Sequence, residues 1–213
     1  MKGISEIISA VLVVLIAIAL VSMAYTWGLP LIQKARGEAI AERVHTYFNP
    51  DNAASLQSKM MGAVNLGGES VFNLDVDGIW ILLPPDASTV ENNSIQFTFF
   101  SKVSKVGYSG EWIPIFGGGC DPSPRYLGVD RPYVTCARAS ALGDGYNITY
   151  KVQFRELIDT SDPTYKTRQT IRIVSLGPTA STGKYVRISR GDTRKISEDD
   201  KNLIITELKI ILG

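Results

Sequence analysis

The stretch KGISEIISAVLVVLIAIALVSMAYTWGLPLI, residues 2–32, decides how the rest of the chain is read. After Glu6 the next charged residue is Lys34. Of the 26 residues Ile7–Ile32, 21 are hydrophobic, and the exceptions are Ser9, Ser22, Thr26, Gly28 and Pro30. A helix of about 20 residues crosses the roughly 30 Å hydrocarbon core of a bilayer, so this run is long enough to span one. It is apolar on every helical face and must be surrounded by lipid or by other protein. Tyr25 and Trp27 stand near its far end, where aromatic side chains favour the membrane interface.

The flanks separate three readings of this run. An ordinary anchor has no need of Glu6, because a lone acid at the lip of an apolar segment is costly in lipid unless neutralised. A secretory signal peptide would have a more basic leader, a shorter apolar run and a small-residue cleavage site close behind it. Here Met1-Lys2-Gly3 is followed by Ile4-Ser5-Glu6, and the apolar run starts at once. This arrangement resembles the class III signal peptide of type IV pilins, in its archaeal branch of pilins and archaellins. The resemblance implies that a membrane-bound prepilin peptidase cuts between Gly3 and Ile4. It implies that the apolar helix stays on the mature protein and holds it in the cytoplasmic membrane before assembly. The pilus assembly machinery would then draw subunits into a helical homopolymer. Glu6, Ile7, Val14, Ala17, Val21, Tyr25, Trp27 and Pro30 would lie in its core of bundled helices. Glu6 would be the third mature residue, whereas bacterial pilins carry their acid fifth.

QKARGEAIAERVHTYF, residues 33–48, continues the helix in amphipathic form, with Ala35, Ala39, Ile40, Val44 and Tyr47/Phe48 at spacings of three to five. Asn49-Pro50 ends it, since proline disfavours helical geometry in the residue before it. Gly28-Leu29-Pro30 is the weak point, and a kink or short melted stretch is predicted there. His45, the only histidine, reads as a packing residue. The division is then a leader over 1–3, an N-terminal helix over 4–50 and a head over 51–213.

Beyond Asp51 the pattern changes to short β-branched and aromatic runs punctuated by Gly, Pro, Asn and Asp. The predicted strands are 59–66, 72–83, 94–103, 112–116, 146–157, 167–176, 185–189 and 203–212. No βαβ rhythm is present, which argues against a nucleotide-binding α/β domain. The predicted class is α+β: a long apolar helix, then an antiparallel, immunoglobulin-like β-sandwich head. Val64-Asn65-Leu66-Gly67-Gly68, running on to Ile79-Trp80-Ile81, is similar to the first hairpin of archaeal pilin heads. The last strand reads as a central strand of the head, with addition to a neighbour's open edge as the alternative.

Cys120 and Cys136, the only cysteines, flank a segment poor in strand signal and are expected to form a disulfide in an extracellular setting. Asn92-Asn93-Ser94 and Asn147-Ile148-Thr149 are acceptor sequons, so Asn92 and Asn147 are candidate glycosylation sites. Gly177–Tyr185 imitates a phosphate loop with wrong spacing and no hydroxyl after Lys184. Arg190-Gly191-Asp192 is one short match in a predicted turn, and Asp75/Asp77 and Asp199/Asp200 lack the spaced ligands of a calcium loop. No paired carboxylates or activated nucleophile is identifiable. No enzymatic activity, cofactor or metal is therefore expected.

The averages hide this organisation. The 213 residues carry a net charge of +1, a hydrophobic fraction of 45% and a mean hydropathy of +0.06. Such a chain has no electrostatic footprint for nucleic acid and is neither disordered nor polytopic. The expectation is a major subunit of an archaeal type IV pilus, exposed at the cell surface and serving adhesion. The rivals are an archaellin of a rotating filament and a membrane-anchored extracellular binding protein.

Overall fold

The computed structural model describes residues 2–104, 106–107, 110–116, 119–161, 166–198 and 201–213; the side chains of residues 2–6, 166, 198 and 201 are not described. Helix α1 runs Lys2–Tyr47 without interruption. The melted stretch predicted at Gly28–Pro30 is not there. Proline at position 30 removes the one N–H that would bond the Thr26 carbonyl, and the turns on either side keep their own bonds. Thr26 Oγ1 donates to the Ser22 and Met23 carbonyls, both at 3.0 Å, tightening the turn before the proline.

A second helix, α2 (Leu56–Leu66), stands where a strand and the edge of a hairpin were predicted. The reason is local. Ser55 adopts extended backbone and its Oγ accepts from the Ser58 amide at 3.1 Å, a side-chain N-cap. Leu56, Met60 and Ala63 are then buried at helical spacing. Gly67 closes the helix at φ 77°, a conformation that favours glycine, and its amide returns to the Ala63 carbonyl at 3.0 Å. The Asn-Leu-Gly-Gly run is therefore a helix terminus.

Twelve strands follow among the described residues: β1 (Glu69–Asn73), β2 (Ile79–Leu83), β3 (Ser94–Ser101), β4 (Ile113–Pro114), β5 (Arg125–Tyr126), β6 (Tyr133–Leu142), β7 (Gly145–Phe154), β8 (Leu157–Ile158), β9 (Lys166–Ser175), β10 (Ala180–Ser181), β11 (Tyr185–Glu198) and β12 (Lys201–Leu212). They form two six-stranded sheets, ordered β1-β11-β12-β9-β8-β5 and β10-β2-β3-β7-β6-β4. The pairing is mostly antiparallel, but β12 lies parallel to β9 and β5 parallel to β8. β12 is bonded on both sides, to β11 and β9, so it is a central strand and has no edge to lend to a neighbour. The predicted strand 72–83 is two strands in different sheets.

The core belongs to both sheets and both helices. Phe72, Ile171, Ile173, Val186, Ile188, Leu208 and Ile210 come from the first sheet, and Trp80, Ile95, Phe97, Ile148, Tyr150 and Val152 from the second. Ala41, Val44 and Phe48 of the α1 end, and Leu56, Met60 and Ala63 of α2, complete it. Phe48 stacks near Trp80 (6.3 Å between centroids) and Tyr150 (5.0 Å), and Phe72 meets Trp80 edge-on at 6.0 Å. Each such side chain, fully buried, contributes roughly 1.5–3 kcal/mol. The end of α1 is thus part of the head.

Candidate assembly surface

Helix α1 has two fates. From Ile7 to Ile32 its side chains are exposed around the whole circumference, from Ile7, Val14, Ala17 and Val21 to Tyr25, Trp27 (77%) and Pro30; only Gly28 is half-covered. By length and composition it can cross a membrane. From Gly37 onward the helix is seated on the head, with Gly37, Ala41, Val44 and Phe48 buried.

The seat begins at a close approach. A Cβ at Gly37 would lie 3.0 Å from Ser101 Oγ and 3.2 Å from the Lys102 amide nitrogen. Buried Ser101 fastens this contact, its hydroxyl lying 3.1 Å from the Gly37 carbonyl and 2.8 Å from that of Val103. A side chain at position 37 would crowd the end of β3, so the glycine favours this close approach. The far end is fastened by Gln57, whose Nε2 donates to the Phe48 carbonyl at 2.7 Å and to Thr135 Oγ1 at 3.1 Å. Between them His45 packs against Phe116 at 5.0 Å, and its Nδ1 lies 3.4 Å from the Tyr150 hydroxyl. Burial holds the His45 imidazole below its ordinary pKa.

A charged collar surrounds the place where the shaft leaves the head. Arg43 Nη1 donates to the Asp75 carbonyl at 3.3 Å. Lys184 Nζ sits 2.6 Å from Asp75 Oδ1 and 3.6 Å from Asp77 Oδ1. The hydrogen bond from Lys184 holds the Asp75 carboxyl below its usual range, and Asp75 in turn raises the lysine. The residues that imitated a phosphate loop and a calcium site are thus an ion pair at the base of the head. Arg36 and Arg43 line the 370 Å³ groove beside it.

Gly3 and Ile4 lie in the first turn of α1, so the bond a prepilin peptidase would cut is helical here. The side chain of Glu6 falls outside those described, as do Asp199 and Asp200 altogether. Cys120 and Cys136 are joined, their Cα atoms 5.9 Å apart, and tie the 119–124 segment to β6. Asn92 is half-buried in the β2–β3 turn, its Nδ2 donating to the Pro85 carbonyl at 2.9 Å. Asn147 is half-buried on β7, with the Thr149 hydroxyl of its sequon 2.9 Å from that of Thr98. Arg190-Gly191-Asp192 occupies a strand irregularity in β11 and not a turn. The structure brings the two cysteines together and leaves the two asparagines apart.

The sequence reading missed the seat itself. Gly37 in the middle of an amphipathic helix was its one visible signal, because an interior glycine costs about 1 kcal/mol against alanine and needs a reason. No family model matches the chain, and no curated protein or solved structure matches it either.

Proposed function

We propose that the chain is the major subunit of an extracellular helical filament of the archaeal type IV pilus kind, built by packing α1 shafts and serving adhesion. The observation that carries the reading is the division of one unbroken helix into an apolar shaft exposed on all sides and an end locked into a folded head. Among the described residues nothing covers Ile7–Ile32. Lipid covers it before assembly, and equivalent helices cover it afterwards. A contact of this kind is heterologous and need not close, so repetition yields a filament. The leader Met1-Lys2-Gly3, followed at once by Ile4-Ser5-Glu6 and the apolar run, supports processing after Gly3. We read the head as a variation on the immunoglobulin-like sandwich, with helix ends wedged into its core.

Electron microscopy of filaments sheared from cells, with mass spectrometry of the main band, tests the proposal. The expected result is this chain, starting at Ile4, as the filament's principal protein. A chain that retains Met1 and is extracted only as a detergent-soluble monomer would instead be a membrane-anchored binding protein. Filaments that rotate on tethered cells would make it an archaellin.

A further inference from the structure

Each sheet ends in a two-residue strand, β5 in one and β4 in the other, and the segments that follow these strands line one cavity. Between these edges, next to the end of α1, a cleft of about 580 Å³ opens. Its size falls in the range of sites that hold small ligands, roughly 300–1,000 Å³. Phe116 and Tyr133 supply aromatic surface, and Asp51, Asp130, Arg131 and Arg155 supply polar groups of both signs.

These groups are held in place from behind. The Arg155 side chain is only 5% exposed. Its Nε donates to the Arg131 carbonyl at 2.8 Å, and its Nη2 lies 3.6 Å from Asp130 Oδ1, an ion pair wider than a hydrogen bond. Asp130 Oδ2 accepts from the Tyr126 amide at 3.2 Å. Arg131 Nη2 meets Asp51 Oδ1 at 3.0 Å nearer the solvent. Tyr133 is braced edge-on against Phe154 at 6.4 Å, and Phe116 against His45 at 5.0 Å.

We propose that this cleft binds a neutral saccharide. Two carboxylates and two guanidinium groups balance, so the cleft offers no net charge to a phosphate, sulfate or sialic acid. An anion would have to compete with Asp51 and Asp130 for the arginines. A polyol suits the arrangement, because every hydroxyl both donates and accepts. Carboxylates accept hydrogen bonds from its hydroxyls, guanidinium N–H groups donate to its oxygens, and the aromatic surface covers the C–H face of the ring. The proposal goes beyond the filament reading by naming what an adhesive head would grip. About 15 Å of helix separates Gly37, where the shaft leaves the head, from Tyr47, four residues before Asp51 of the cleft lining.

The test uses the full-length chain in detergent, so that it does not depend on polymerisation. It is applied to an array of neutral hexose and N-acetylhexosamine oligosaccharides beside their sialylated and sulfated counterparts, with a peptide array in parallel. The best neutral oligosaccharide is then titrated calorimetrically against wild type, Asp130→Asn, Phe116→Ala and the more exposed Arg131→Ala. Thermal unfolding of each variant checks the fold. We expect neutral oligosaccharides to bind, and each folded variant to bind at least tenfold more weakly. Arg131→Ala decides the matter if the other two do not fold. No saccharide binding at millimolar concentration, binding of acidic glycans or peptides alone, or unchanged affinity in the folded variants would overturn the proposal. Saccharide binding by a chain that forms no filaments would sustain it and defeat the filament reading.

Discussion

At Gly37 a single missing Cβ determines how the helix meets the head. A valine there would drive side-chain carbon into Ser101 Oγ and the Lys102 backbone, which cannot retreat without moving the end of β3. Overpacking of this kind costs about 1–3 kcal/mol. Gly37→Val should therefore lower the melting temperature of the head by several degrees in a calorimetric scan. An unchanged midpoint would mean that the close approach is not the seat of the helix. His45 makes a second residue-scale prediction. Burial lowers its folded pKa below the unfolded value near 6.5, so the unfolded chain binds the extra proton first. The contribution of this residue is complete above pH 6.5 and is lost as pH falls through the folded pKa. Melting temperatures measured between pH 7.5 and 5 should fall more steeply for wild type than for His45→Gln. Parallel slopes would show that His45 does not report on the seat.

Elements were legible where one physical pattern dominated. The shaft of α1 could be read because nothing but apolar residues fills 26 positions save five. Strands β3, β7 and β9 could be read from alternation. β12 and the first part of β11 could be read from the apolar runs at 203–212 and 185–189. Other elements were missed for identifiable reasons. Phe72, Leu74, Val76, Trp80 and Leu82 are all buried with even spacing, so alternation runs straight through the crossing from one sheet to the other. Only Asp75-Val76-Asp77-Gly78 marks it. β6 was overlooked because Ala137 and Ala139 are weak strand formers. Their smallness has a use, since Ala137 sits opposite Tyr150, whose hydroxyl reaches His45 of α1.

The outer face of the β3–β7–β6 sheet was also unforeseen. Trp112 covers it, with Arg138 at 4.5 Å and Lys151 at 4.3 Å from its ring, and its Nε1 donates to Glu91 Oε1 at 2.6 Å. Burial lowers the Lys151 pKa, and Lys151 Nζ donates to Gln153 at 2.9 Å. Polar residues that alternation assigns to water are therefore roofed by a loop. Trp112 is half-buried, so Trp112→Ala should cost about 1–2 kcal/mol and raise amide exchange in β3 and β7. Protection unchanged in those strands would show that the loop is not a roof.

For the whole molecule the question is whether the exposed shaft meets lipid alone or other copies of itself. The proposed removal of Lys2 with the leader would leave 21 basic and 21 acidic side chains, and close packing of many such subunits would meet no large self-repulsion. A charge placed in the shaft does not separate the two cases. Val14→Asp or Ala17→Arg costs roughly 2.5–3.5 kcal/mol at the centre of a bilayer and would injure anchor and filament alike. Shape does separate them. Lipid chains are fluid and accommodate a larger apolar side chain, whereas interlocked helices are packed as densely as crystals and depend on small residues for close approach. Ala17→Phe should therefore leave membrane retention and the melting temperature of the head unchanged, because Ala17 is exposed and touches nothing in the head. It should sharply reduce the mass of filament sheared from cells. Equal filament yield would mean that position 17 faces no neighbour. Combined with equal yield from Val21→Phe and Val14→Phe, it would mean that the shaft is an anchor and not a core.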